Sequence, residues 1–134
     1  MSRKEARELA FKTIYSKFFN TDAEIEEQTE NTNIADLEFT TKILKNFAEY
    51  YQEVNEKISS HLKGYTIERL YKIDLAILVL AVIELDYIKE NPKQVVINEA
   101  VELAKKFSTD KSPKFINGVL ADIFKNEWSY VWKH

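Results

Sequence analysis

Two glycines and two prolines are all the backbone punctuation that 134 residues carry. An all-β fold of this length needs a tight turn about every ten residues, and such turns draw on glycine, proline and a few substitutes. A chain this short of them folds by running in long helices. With 45% hydrophobic and 31% charged residues it has the material for a core and for a solvated surface, and its length fits one domain.

The periodicity places the helices. Ser2 followed by Glu5 is a capping-box signature that starts a helix at Arg3. Ala6, Leu9, Ala10, Thr13 and Ile14 give that helix a core face out to about Phe18. Residues 20–33 are acidic and weakly periodic, and read as a loop with one short helix. From Asp36 to Leu62 the residues Leu37, Leu44, Phe47, Tyr51, Val54, Ile58 and Leu62 recur at helical steps, and Gly64 stands where a C-cap glycine belongs. Thr66 caps the next helix, which runs through Ile67, Leu70, Ile73, Ile77, Leu80 and Glu84 to about Lys89. Asn91-Pro92 breaks the chain. A helix over about Lys93–Phe107 follows, and then Ser112-Pro113 opens a last one through Ile116, Val119, Leu120, Ile123 and Phe124. Asn117-Gly118 is a hairpin signal in isolation, but it lies inside a 3.6-residue period and stays helical; a glycine there would let two helices approach closely.

Several chemistries are excluded or disfavoured. No cysteine means no disulfide and no thiolate-bound metal, as fits a reducing cytoplasm. The longest apolar run is Leu75 to Ile83, nine residues, against roughly 20 needed to cross a bilayer, and the N-terminus lacks the apolar stretch of a secretory signal. Two glycines cannot build a phosphate-cradling loop. His61 and His134 are the only histidines, too few and too far apart for a zinc site, and no carboxylate pair stands out as acid and base. No catalytic residue, metal ligand or cofactor site is assigned.

The net charge of −3 seems to argue against nucleic acid, but its distribution does not. Seven acids and no Lys or Arg lie between Phe18 and Thr41, which leaves 19 cations against 15 acids, a formal +4, in the rest of the chain. Arg3, Lys4 and Arg7 crowd the start of the first helix, where cations meet the positive end of the helix dipole. Either a phosphate backbone or plain solvation accounts for them. Lys105, Lys106, Lys111, Lys114 and Phe115 surround the elbow before the last helix. Phe115 suits either an unpaired base stacking on its ring or a place in the core. Asn98 and Asn117 sit among apolar residues and are expected to tie helix ends to neighbouring backbone, outside any binding site.

Three blocks together resemble the NusB family. The first is Arg3-Lys4-Glu5-Ala6-Arg7-Glu8-Leu9-Ala10 through Tyr15. The second is Tyr65-Thr66-Ile67-Glu68-Arg69-Leu70 with Ile73-Asp74-Leu75-Ala76-Ile77-Leu78 and Glu84-Leu85. The third is Val95 to Phe107 with Lys114 to Leu120, the most specific of the three. The resemblance implies an all-α fold, a compact bundle of about six to seven helices in two packed subdomains within one domain, 1–134, with halves of roughly 1–64 and 65–134. It implies no enzymatic activity and a cytoplasmic transcription antitermination factor. Such a factor pairs with the ribosomal protein NusE, binds the single-stranded boxA element of nascent RNA and acts on the elongation complex, chiefly in ribosomal RNA operons. Carried over by position, the implied RNA contacts are Arg3, Lys4, Arg7, Lys111, Lys114 and Phe115, and the partner-facing helix is the one with Asp74. Members often have tryptophan at Tyr65 and arginines at Leu75 and Val79. Those two share a face with Val82, so here the stripe is apolar, for a more hydrophobic partner or for a homodimer. Two other readings stand beside this one. A NusB-like domain can serve ribosomal RNA modification, although no glycine-rich cofactor domain follows before His134. A homodimeric helical scaffold would leave the basic surface incidental.

Overall fold

The computed structural model describes residues 2–19 and 34–125, and every regular element among them is helical. The five α-helices are α1 (Arg3–Lys17), α2 (Ile34–Ser60), α3 (Lys72–Ile83), α4 (Lys93–Phe107) and α5 (Ser112–Ile123). A 3₁₀ turn at Ile67–Arg69 precedes α3 and a π turn at Glu84–Ile88 follows it. Five α-helices are fewer than the six or seven expected. The short helix expected within 20–33 lies outside the described residues, and the regions before and after α3 form single turns of other pitch.

Helix α1 begins as its capping box dictates: Ser2 Oγ accepts from the Glu5 N–H at 3.1 Å, and the Ser2 N–H donates to Glu5 Oε1 at 3.1 Å. Helix α2 has 27 residues, about 40 Å at the normal rise. It stops at Ser60, where the N–H groups of His61 and Leu62 bond to the carbonyls of Ile58 and Ser59. Gly64 comes later than a C-cap glycine would, but its φ of 80° is the left-handed geometry that favours glycine.

The single helix expected from Thr66 to about Lys89 is three pieces. Leu70 is extended, at φ −74° and ψ 147°, and separates the 3₁₀ turn from α3. Thr66 makes no side-chain cap bond. At the other end the Lys89 N–H reaches back to the Glu84 carbonyl at 2.9 Å, and Lys89 itself stops the helix at φ 57°. Side chains three or four apart share a face in all three helix types, so the apolar spacing ran on unbroken across changes of pitch.

Helix α3 is the spine of the molecule. Every residue from Asp74 to Glu84 is buried, and α1, α2, α4 and α5 all pack against it. Leu75 is 2% exposed and Val79 is 0% exposed. Neither can present a side chain to a partner or a second copy, because the apolar stripe is consumed by the chain's own core. Asn98 and Asn117 are also corrected: both are exposed, so neither is a buried amide in need of a partner. Gly118 is exposed too, and a Cβ built on it meets nothing within 4 Å. No described helix uses it for a close approach.

Candidate nucleic-acid interface

The elbow between α4 and α5 is held from below. Asp74, in the first turn of α3 and 4% exposed, accepts from Ser108 Oγ at 2.6 Å and from Ser112 Oγ at 3.0 Å. Ser112 Oγ also lies 2.8 Å from the hydroxyls of both Ser108 and Thr109. Ser112 therefore sits inside the first turn of α5 and fastens the elbow to α3, instead of capping the helix as its sequence position suggested. Asp74 serves the same clasp, and its buried carboxylate, expected on a partner-facing helix, borders the floor of the hollow above and is occupied by the two serine hydroxyls.

Above the clasp lies a hollow of about 320 Å³. Lys111 and Phe115 from the elbow line it, with Tyr65, Arg69 and Tyr71 from the segment that leads into α3. Phe115 is half-buried against the core and meets Tyr65 in a T-shaped pair, 6.0 Å between ring centres. It packs on the core and also keeps part of its ring at the wall of the hollow. Tyr65 and Tyr71 are 56% and 64% exposed, large aromatic surfaces left to solvent. The side chains of Arg69, Lys111 and Lys114 make no hydrogen bond or ion pair with any described residue. Sequence reasoning missed Arg69, Tyr65 and Tyr71 as site residues. The signal was there: two tyrosines at the ends of a short polar stretch, flanking an arginine.

The basic cluster of α1 is arranged differently. Arg7 is 4% exposed, and its Nε and Nη2 donate to Glu84 Oε1 at 2.7 Å and Oε2 at 3.0 Å. Its Nη1 lies 3.5 Å from Glu99. A guanidinium committed this way is a core strut and is withdrawn from the RNA contacts expected of it. Arg3 stands over the Phe39 ring at 4.0 Å and pairs with Glu90 at 3.3 Å. Lys4 is the most open of the three, its side chain 68% exposed and 3.9 Å from Glu99.

Among the described residues the two basic regions touch only through Lys106, which borders a small depression with Lys4 and Arg7, while Lys111 and Lys114 stay apart from it. Lys106 bonds Glu8 at 2.7 Å, Phe107 packs on Phe11 at 5.3 Å, and Tyr15 borders a depression with Ser108 and Thr109. The elbow thus sits at the C-terminal end of α1. Arg3 and Lys4 lie at the other end, about 18 Å away along the axis. Among the described residues no group of three or more His, Asp or Glu could hold a metal ion, and no helix is long and apolar enough to cross a membrane.

Cations unpaired among the described residues, standing around exposed rings on a helical frame, define an all-α domain with a cationic aromatic face. The match to the NusB family model extends over residues 4–125, and the chain belongs to that family. A relative from Finegoldia magna, "Transcription antitermination protein NusB", is 40% identical over 95% of this chain and 96% of its own length. Among solved structures, T. maritima NusB superimposes with a TM-score of 0.87 at 31% identity, over 93% of this chain and 92% of that one. A crystal structure of the antitermination factors NusB and NusE in complex with double-stranded RNA matches with a TM-score of 0.83 at 31% identity, over 92% of this chain and 96% of that one.

Proposed function

We propose that this protein is an RNA-binding transcription antitermination factor that works with NusE on boxA-type RNA and favours transcription through terminators, chiefly in ribosomal RNA operons. It acts by binding, without catalysis, in the cytoplasm where the elongation complex works. The carrying observation is the elbow hollow, where Arg69 and Lys111, unpaired among the described residues and with Lys114 close by on α5, stand around the exposed rings of Tyr65 and Tyr71 and the half-buried ring of Phe115. Ammonium and guanidinium groups attract phosphate whatever the sequence, while an aromatic face accepts a base only when that base is unstacked. The combination favours a single strand over a duplex, whose bases are already stacked. Lys4 extends the track, because an RNA long enough to leave the elbow along α1 would meet it about 18 Å away. The homodimeric scaffold loses its support, since Leu75 and Val79 are core residues.

The test is fluorescence anisotropy in four arms, with three RNAs of equal length (boxA, scrambled single strand and duplex boxA) and with boxA again after NusE is added. Single-stranded boxA with NusE should bind tightest, and Lys111→Ala should weaken it and lower the slope of log affinity against log salt by about 1. Phe115→Ala should cost about 1–3 kcal/mol on single-stranded boxA and much less on the duplex. Equal binding in all four arms would remove the reading.

A further inference from the structure

We infer that a second hollow, behind the Tyr65–Phe115 pair, is a further nucleotide site on the same RNA strand, with the neighbouring base against those rings and its phosphate on Lys63 and Lys114. This rests on the RNA reading of the elbow. The hollow has a volume of about 270 Å³ and lies between the end of α2 and α5. It shares only Tyr65 and Phe115 with the first hollow, so that pair forms a wall between the two. Both volumes are at the small end for ligand sites, the size for one flat ring and no extended molecule.

The chemistry of the lining sets which part of a nucleotide goes where. Lys63 and Lys114 make no hydrogen bond or ion pair with any described residue. Asp122 also lines the hollow, its Oδ2 2.6 Å from His61 Nδ1 and its Oδ1 3.4 Å from Lys125 Nζ. The bond from His61 holds that carboxyl below its ordinary value, so it stays charged. A bare phosphate would meet this carboxylate and be repelled. A nucleotide avoids it by keeping its phosphate on the lysines and its base inside.

Gly118 is the residue that leaves the room. It opens onto the hollow from the middle of α5, where glycine is a poor helix former. A Cβ there would meet no atom of the described residues within 4 Å, so their packing gives no reason for glycine. An external group passing close to the helix does.

Four variants of the full chain are titrated, with NusE present, against fluorescent single-stranded boxA RNA, and their melting temperatures are measured in parallel. Gly118→Gln, which fills the hollow with a good helix former, should bind about tenfold more weakly while melting no lower than the parent. Gly118→Ala, the smaller intrusion, should melt higher and bind about threefold more weakly, and it serves if the glutamine variant fails to fold. Lys63→Ala should bind about threefold more weakly with a shallower salt dependence. Lys111→Ala reports on the first hollow. If Lys111→Ala weakens binding while Gly118→Gln or Lys63→Ala binds as the parent does, the second site is overturned and the RNA reading stands. If Lys111→Ala also binds as the parent does, the RNA reading itself falls.

Discussion

Arg7 stands on the same helical face as Phe11 and Ile14 and is as deeply buried as they are. Its two bonds to Glu84 satisfy a carboxylate that is 0% exposed. Removing one partner of such a pair leaves a buried charge unmatched, which costs about 3–5 kcal/mol. Arg7→Ala should therefore lower stability by roughly that amount in urea unfolding, and Arg7→Met with Glu84→Leu should recover most of it. A surface arginine would lose less than about 1 kcal/mol in the same experiment. The sequence carried half of this. Glu84 falls in step with Ile77 and Leu80 on the core face of its helix, and Arg7 falls in step with Phe11. What no local pattern could supply was their meeting across 77 residues. Leu75 and Val79 illustrate the opposite case. The family resemblance implies an outer face for them, yet two apolar residues in an unbroken apolar run follow the hydrophobic effect into the nearest core.

At the scale of elements, helix positions were legible and helix ends were less so. Capping chemistry located the start of α1, and Asn91-Pro92 located the break before α4. The interruption at Leu70 and the π turn at Glu84–Ile88 left no mark, because apolar spacing is nearly the same at each pitch. One of these ends is testable. Lys89 closes the π turn at φ 57°, a left-handed position that costs a residue with a Cβ about 1–2 kcal/mol. Lys89→Gly should raise stability by about 0.5–1 kcal/mol in thermal melts, offset in part by glycine's larger unfolded-state entropy. The elbow was legible as a basic loop near Phe115. Its aromatic wall was not, because Tyr65 and Tyr71 reach it from a segment some 40 residues earlier in the chain.

Across the whole molecule, ion pairs knit distant parts of the chain. Lys106 bonds Glu8, Lys42 bonds Glu90, and His61 bonds Asp122. Each bond is the largest influence on its carboxyl, and each holds that carboxyl below its ordinary value, 4.5 for the two glutamates and 3.8 for the aspartate. Carboxyls lowered on folding add stability that is complete above their unfolded values and disappears as the pH falls through the folded ones. The melting temperature should thus be level from about pH 7 to pH 5 and fall below about pH 4.5. Replacing Glu8 and Glu90 with glutamine should flatten that acid limb, and an unchanged limb would assign it to other groups. The two glutamate pairs are exposed, so added salt should shrink their share.

The hydroxyl clasp on Asp74 has a consequence for how RNA is met. Because Ser108 and Ser112 are moored to the first turn of the most deeply buried helix, the backbone that carries Lys111 and Phe115 is fixed in place before any ligand arrives. Little ordering of the protein then remains to be charged against affinity, and the entropic cost of capture falls mainly on the flexible strand. Binding on this surface should look like docking onto a finished mould, with calorimetry registering little folding of the protein itself.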